Sequence, residues 1–378
     1  MTIQSQYEKR IEAYIEGNDC SIDQVQKIEI SGKMKGLPVY SLPIKLLVFN
    51  VKNGRFAADL ENLELTLGRK LNAWKPDDAK RVKRILLEKS AHDTIMFKEN
   101  LKKQGQKDPG VITSAGVVIN GNRRMAILSE LYEETGQAKY SVLDISILPH
   151  GTSEAEIYKI EASLQYAKDF KQSFGAVNEL LKIEEGLGHM PKRELATLLV
   201  RDERYIDEHI AQLNLLRAYS KYAWKKVDYK KIEEEQITEI ITDVEKNIRN
   251  FKSQGLRSAE INKLLEVQFA YIKSGCSYRD IRDVGKYSRL PSVEESYFHA
   301  VSELKNKIIS EESFKENIDD INLRGKIKKA EDKPLVLAHQ ILEEVKEFQD
   351  KQFKITSDII KCFNEVSERI TKLLKKRG

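Results

Sequence analysis

The stretch Pro109-Gly-Val-Ile-Thr-Ser-Ala-Gly-Val-Val-Ile-Asn-Gly-Asn-Arg-Arg-Met-Ala-Ile-Leu128 decides how this chain folds. Its β-branched runs at 111–112 and 117–119 flank Ala115-Gly116, a pattern typical of two short strands joined by a tight turn. Asn120-Gly121 is a second strong turn signal, and the apolar residues after it recur at helical spacing. The stretch therefore predicts a strand, a turn, a second strand, a second turn and a helix.

A strand that ends at a glycine and leads into a helix with two arginines contains the elements of an anion site. The N-terminus of a helix presents backbone N–H groups and the positive end of its dipole. Gly121 permits close approach of the backbone, and the guanidinium groups of Arg123 and Arg124 suit phosphate oxygens. The spacing alone fits either a phosphate-binding turn or an ordinary β-α turn whose arginines are only solvated.

The surrounding sequence predicts a small α+β domain over residues 27–152, preceded by a helical extension over 1–26 that breaks near Gly17. Residues 27–51 are rich in strand formers around a turn at 32–36, and a charged helix is expected over 77–104. A strand over 141–148 closes the domain. From Ser153 onward the chain is predicted to be almost entirely helical.

The residues from Gly105-Gln106 to Arg123-Arg124 resemble the N-terminal domain of the ParB/sulfiredoxin superfamily, in which a Gly-Gln-…-Pro-Ile-Val-Val stretch leads into Gly-Glu-Arg-Arg or Asp-Gly-His-Arg. Family members hold nucleotide phosphates at this turn, CTP in the partition proteins, so the resemblance implies a CTP-type nucleotide with Mg²⁺. Asn53-Gly54-Arg55 is similar to the family's Asn-x-Arg element, and 160–170 is similar to its Glu-Asn-x-Gln-Arg helix start. The nucleotide- or phosphate-binding residues implied are Arg55, Gln106, Gly121, Asn122, Arg123, Arg124, Glu161 and Gln165.

Residues 153–221 predict a helix-turn-helix domain. A short helix with Pro191 in its first turn is followed by a four-residue turn and a longer helix that begins near Glu203-Arg204. The ParB family has a helix-turn-helix at this place, which implies DNA as a partner. The residues expected to contact DNA are Lys192, Arg193, Arg201, Arg204, His209 and Gln212. The second helix also presents Asp207 and Glu208, which repel phosphate, so a three-helix packing unit without sequence readout is the alternative.

Residues 222–378 predict a charged, helical C-terminal region. Apolar residues recur there at alternating spacings of four and three, a short heptad seam formed by Ile359, Phe363, Val366, Ile370 and Leu373. Such a seam fits a helix packed on its own domain or a contact between two copies. ParB-like proteins commonly dimerise through their C-terminal part, so the resemblance favours a homodimer.

The composition excludes several classes of protein. With 64 basic and 59 acidic residues the net charge is +5, which permits nucleic-acid binding without requiring it. The three cysteines lie far apart, and no His, Cys or Asp cluster has metal-ligand spacing, so neither a disulfide framework nor a metal site is expected. No stretch approaches the roughly 18 apolar residues of a membrane span, and the N-terminus lacks an apolar signal core. We expect a cytoplasmic protein that does not bind membranes.

Taken together, these patterns predict a ParB-like DNA-binding protein that acts in plasmid or chromosome partition, in transcription or in defence against foreign DNA. One alternative is an enzyme of the same fold: a CTP hydrolase, or a nuclease or phosphotransferase that would use local acids such as Asp108, Glu130 and Asp144. No catalytic residue can be named from their spacing. Another alternative is a non-catalytic assembly protein in which both sites have decayed. Tyr166, at the place of the family's arginine, and the acidic second helix favour that alternative.

Overall fold

The computed structural model describes residues 2–89, 91–168, 175–350 and 356–375. The described part of the chain is an α+β structure in which a six-stranded mixed sheet is followed by helices. The strands are β1 (Ser21–Ile30), β2 (Lys33–Pro43), β3 (Val48–Phe49), β4 (Gly110–Ile112), β5 (Val117–Asn120) and β6 (Val142–Ile147). The helices of the sheet region are α1 (Ile3–Gly17), α2 (Ala57–Leu67), α3 (Pro76–Glu88), α4 (Ala91–Gln104) and α5 (Asn122–Thr135).

The helices after the sheet begin with α6 (Glu154–Lys168), α7 (Ala176–His189), α8 (Lys192–Leu198), α9 (Glu203–Trp224), α10 (Tyr229–Glu234), α11 (Ile237–Ser253) and α12 (Ser258–Lys273). They continue with α13 (Tyr278–Tyr287), α14 (Pro291–Lys305), α15 (Glu311–Asp350) and α16 (Ser357–Lys375). Among the described residues, no helix has both the length and the apolar character that crossing a membrane requires.

The chain divides into two compact units, Met1–Lys273 and Ser274–Gly378. α10 follows the predicted boundary at residue 222 but lies within the first unit, where it packs against α2. The Tyr229 N–H donates to Asn62 Oδ1 (2.9 Å), and Arg217 Nε donates to the Tyr229 hydroxyl (2.7 Å).

The sheet has the strand order β1-β2-β6-β4-β5-β3. β4 pairs antiparallel with β5 and parallel with β6, while β3 pairs parallel with β5. The predicted strand, turn and strand of the deciding stretch are confirmed. Gly110 is required for this pairing, because a Cβ atom there would lie 2.6 Å from the Asn120 carbonyl oxygen.

Successive side chains of the central strands point to opposite faces of the sheet, so each face packs against a core of its own. Ile112 and Val118 belong to the larger cluster, which includes Leu60, Leu86 and Met125 of the helices on that face. The neighbouring strand residues contribute to a second cluster with α6, formed by Ile28, Ile30, Leu37, Val111, Ile119, Leu148 and Ile160. The burial of both faces explains why these strands are continuous apolar runs.

Three elements differ from expectation. β1 begins at Ser21, inside the predicted helical extension, because an edge strand with a solvated face is largely polar and lacks an apolar signal. The hairpin turn lies at Ser31-Gly32, where both φ angles are positive (52° and 71°), rather than at 32–36. The single helix predicted over 77–104 is two helices, α3 and α4.

Candidate phosphate site and helix-turn-helix

The turn between β5 and α5 has the backbone geometry of an anion site. Gly121 has a φ of 113°, in the region that favours glycine, and its carbonyl accepts the first helical hydrogen bond from Met125 N–H (2.8 Å). No side chain caps α5, and its first turn contains no acidic residue. The first-turn N–H groups of α5 are therefore not satisfied by a capping side chain, and no acid of its own first turn faces the positive end of the dipole.

The two arginines of the turn lie in different surroundings. Arg124 donates a hydrogen bond from Nη1 to the Asp108 carbonyl oxygen. Burial lowers the pKa of Arg124, and the negative charges of Asp108 and Asp144 partly offset this effect. Arg123 donates from Nη2 to Thr94 Oγ1 (2.8 Å). Because these interactions fix Arg124 to the loop before β4, Arg123 is the better placed of the two to meet a ligand at the turn.

Arg55 lies close enough to Arg123 for their charges to interact. Burial lowers the pKa of Arg123, Asp93 opposes that effect, and the positive charge of Arg55 lowers the pKa further. The Arg55 side chain is exposed, whereas Arg123 is half-buried. The structure thus places two predicted phosphate ligands, 68 residues apart in sequence, within electrostatic range of each other.

Asn122 and Gln106 are used within the fold. The Asn122 side chain is 2% exposed; its Oδ1 accepts from Asn50 N–H (2.9 Å) and its Nδ2 donates to the Val118 carbonyl (2.6 Å). The Gln106 amide donates to the Val142 carbonyl and accepts from Asp144 N–H, both at 3.1 Å. In this structure the amide groups of both side chains bind backbone, and their predicted ligand role stays a prediction.

The Asn53-Gly54-Arg55 turn is held by the two helices that follow the sheet. It forms a short 3₁₀ helix (Gly54–Phe56), which Asn53 begins by accepting from Arg55 N–H (3.1 Å). Glu161 of α6 accepts from Gly54 N–H (3.3 Å). Asn178 of α7 accepts from Ala58 N–H (2.9 Å) and donates to the Arg55 carbonyl (3.1 Å).

Glu161 is part of a buried ion pair; its predicted place beside a nucleotide stays a prediction. Lys182 Nζ lies 3.0 Å from Glu161 Oε2 and 3.0 Å from Glu185 Oε2, and the side chains of Lys182 and Glu161 are only 1% and 4% exposed. Burial raises the pKa of Glu161. Burial alone would lower the pKa of Lys182, but the carboxylates of Glu161 and Glu185 outweigh it and raise that pKa. Glu161 therefore supports the Arg55 turn from within.

Sequence reasoning missed Asn178 and Lys182. The sequence did contain a signal for them. Asn178 and Lys182 are four residues apart and stand directly beside the apolar residues Val177, Leu181 and Ile183 of α7, which indicates two polar side chains on one face of the helix, next to its apolar face. The side chain of the predicted nucleotide ligand Gln165 lies outside the described residues.

The two helices of the predicted helix-turn-helix are α8 and α9, and they pack against α6 and α7. Their shared core contains Tyr158, Ala162, Ile183, Met190, Leu195, Ala196, Leu199 and Ile206. The predicted start of the second helix at Glu203 is confirmed, with Asp202 as N-cap accepting from Tyr205 N–H (2.7 Å). Pro191 is the N-cap of α8 rather than its first helical residue. Val200 in the turn has a φ of 54° and is 84% exposed.

Carboxylates neutralise much of the positive charge on this surface. Lys192 lies 2.9 Å from Asp207 and 3.7 Å from Glu203, and Arg204 Nε lies 2.8 Å from Glu208. Arg193 and Arg201 are exposed, and the Arg201 guanidinium lies 5.1 Å from the Tyr205 ring centroid.

The two uncharged residues expected at the DNA surface are restrained. The His209 ring stacks on Tyr205 with centroids 3.7 Å apart, and its Nδ1 lies 2.7 Å from the Tyr205 carbonyl oxygen. Gln212 is only 9% exposed, so the expectation of an exposed Gln212 is wrong. The reason is that α9 packs against α7, α8, α11 and α12 and buries this side of the helix.

Within the part of the chain that the structure describes, no group of three or more His, Cys, Asp or Glu side chains is arranged to hold a metal ion. Comparisons of the chain with protein-family models, with curated proteins and with solved structures find no match.

Proposed function

We propose that this chain is a DNA-binding protein of the ParB kind, in which a nucleotide phosphate at the Gly121 turn controls a helix-turn-helix. The observation that supports this most directly is that α5 begins at Gly121 without a side-chain cap and with Arg123 in its first turn, where the charge of Arg55 also acts. The resemblance of the deciding stretch to the ParB/sulfiredoxin superfamily adds the nucleotide, CTP with Mg²⁺.

Electrostatics favour a phosphate at this place. The two guanidinium groups repel each other, whereas Asp93 attracts the guanidinium of Arg123. A phosphate would accept hydrogen bonds from both arginines and from the first-turn N–H groups of α5. Each charge-assisted hydrogen bond contributes about 1.5–3 kcal/mol.

The contacts of Asn178 provide a route from the phosphate to the helix-turn-helix. Asn178 binds the Arg55 carbonyl oxygen, and α7 packs against both α8 and α9. A ligand that fixes the Arg55 turn would therefore also fix α7. Phosphate binding is proposed to bias the orientation of α8 and α9 in this way.

DNA contact is proposed through the exposed Arg193 and Arg201, with Lys192 and Arg204 released from their carboxylate partners. Because those ion pairs compete with DNA phosphates, we expect weak and strongly salt-dependent binding. Little base readout is expected, since Gln212 is buried.

We also propose that two copies associate through α16. Four apolar side chains on this helix are 38–52% exposed: Ile360, Phe363, Val366 and Ile370. Phe363, Val366 and Ile370 recur at spacings of three and four, and a second α16 with the same seam would cover them. Leu373 of the predicted seam lies outside the described side chains.

Calorimetric titration with CTP, ATP, GTP and ADP in the presence of Mg²⁺ tests the phosphate site. We expect one nucleotide to bind, and Arg55→Gln and Arg123→Gln each to weaken it about 10- to 150-fold, the equivalent of one charge-assisted hydrogen bond. Arg84→Gln, which removes the same charge from an exposed position on α3, is the control and should bind as the wild type does. The proposal fails if no nucleotide binds with duplex DNA present, or if all three variants behave alike.

A further inference from the structure

The second unit contains a basic pocket that is separate from the residues described above. It has a volume of about 370 Å³ and lies between α13 and α15. The side chains that line it are Arg279, Arg282, Asp283, Lys286, Tyr287 and Lys326.

The amphipathic character of α13 places three cations in a row. The helix begins with a capping box between Ser277 and Asp280, and it buries Ile281 and Val284 completely. Arg279, Arg282 and Lys286 follow at spacings of three and four, so they share the opposite, exposed face. This row spans about 10 Å along the helix axis.

A glycine brings the positive charges of α15 beside this row. A Cβ atom at Gly325 would lie 2.7 Å from Tyr287 Cβ, so only glycine permits the close contact between the two helices. The next residue, Lys326, lines the pocket, and Lys329 Nζ lies 6.0 Å from the Tyr287 ring centroid.

Cations are the majority among the residues that line the pocket. Four of these residues are Arg or Lys, and one, Asp283, is a carboxylate that lies 2.9 Å from Lys286 Nζ. A cluster of like charges attracts an anion. All four cationic side chains are exposed, so the pocket is open at the surface and accessible to a long ligand.

We propose that this pocket binds the phosphate backbone of a nucleic acid. About 10 Å of duplex presents roughly six phosphate charges, which suits a row of cations better than a single small anion does. Arginine forms bidentate hydrogen bonds with phosphate. The exposed Tyr278 ring, 5.0 Å from the Arg282 guanidinium and 5.8 Å from that of Arg279, adds an aromatic surface beside the row. The pocket is a second contact, additional to the proposed helix-turn-helix contact.

The test is binding of the full chain to a fluorescent duplex between 50 and 200 mM salt. Each lost phosphate contact reduces the slope of log K against log salt by about 0.9. The double variant Arg282→Gln/Lys286→Gln should therefore reduce the slope by about 1.8. The loss of affinity across this salt range should then be about 12-fold smaller than for the wild type. The matched control Lys361→Gln/Lys372→Gln removes two exposed lysines from α16 and should retain the wild-type slope.

A second pair of substitutions separates this site from the proposed function. Arg193→Gln/Arg201→Gln removes the exposed arginines of the helix-turn-helix, and its effect should add to that of the pocket variant if the two contacts are independent. The inference is overturned if the pocket variant retains the wild-type slope, or if the slope of the control falls as much as that of the pocket variant. It is also overturned if the wild type binds no duplex, or if inorganic triphosphate binds the pocket while duplex DNA does not compete.

Discussion

Replacing the buried lysine of α7 should destabilise the first unit strongly. Lys182→Met leaves Glu161 as a charge without its 3.0 Å partner in a site where the glutamate side chain is 4% exposed. Breaking a buried ion pair by removing one partner costs about 3–5 kcal/mol. For a slope of about 2 kcal/mol per molar urea, the unfolding midpoint should fall by about 2 M.

The accompanying variants separate the charge effect from simple loss of packing. Glu161→Gln/Lys182→Met removes both charges and should recover most of the stability, since a buried pair replaced by uncharged groups is often neutral. Lys159→Met removes one partner of the more exposed Lys159–Glu194 pair and should cost less than about 1 kcal/mol.

The destabilisation should also depend on pH. Burial raises the pKa of Glu161, and loss of Lys182 raises it further. The folded variant then favours the protonated acid, so the contribution of Glu161 to stability is greatest below about pH 4.3 and is lost as pH rises through the folded pKa. Urea unfolding at several pH values measures this. The reasoning is refuted if Lys182→Met lowers the free energy of unfolding by less than about 1 kcal/mol. It is also refuted if the double variant loses as much stability as the two single variants Lys182→Met and Glu161→Gln lose together.

The remaining predictions concern single positions. Arg69 and the Asn72 N–H hold the pKa of the buried Asp78 carboxyl well below its usual range, so its stabilisation is present above about pH 4 and is lost as pH falls. Thermal unfolding should accordingly show Asp78→Asn to be less stable than the wild type at pH 7, and the difference should shrink below pH 4. A difference that stays constant with pH would disprove the stabilising role of the ionised Asp78. Val200→Gly should raise the free energy of unfolding by about 1 kcal/mol, because Val200 has a φ of 54° in an exposed turn; a loss would contradict this. If α16 pairs two copies, Val366→Lys should halve the mass measured by light scattering, whereas Lys361→Gln should leave it unchanged.

Local sequence patterns predicted the strands and the helix around the Gly121 turn. β4, β5 and the start of α5 at Asn122 are as expected, since β-branched runs and an Asn-Gly turn act within a few residues. The start of α9 at Glu203 was predicted for the same reason. β1 and the break between α3 and α4 were missed, because a polar edge strand and a short break leave little trace in hydrophobic periodicity.

The candidate site was predicted only in part. The sequence by itself determined the α+β fold class, the glycine turn with two arginines and the start of α9 at Glu203, all of which depend on neighbouring residues. Tertiary structure alone decided that the charge of Arg55 acts on Arg123, that Arg124 binds the Asp108 carbonyl, and that Glu161 is paired with Lys182. The physical reason is that these contacts join residues far apart in sequence, and which face of a helix is buried depends on the elements that pack against it.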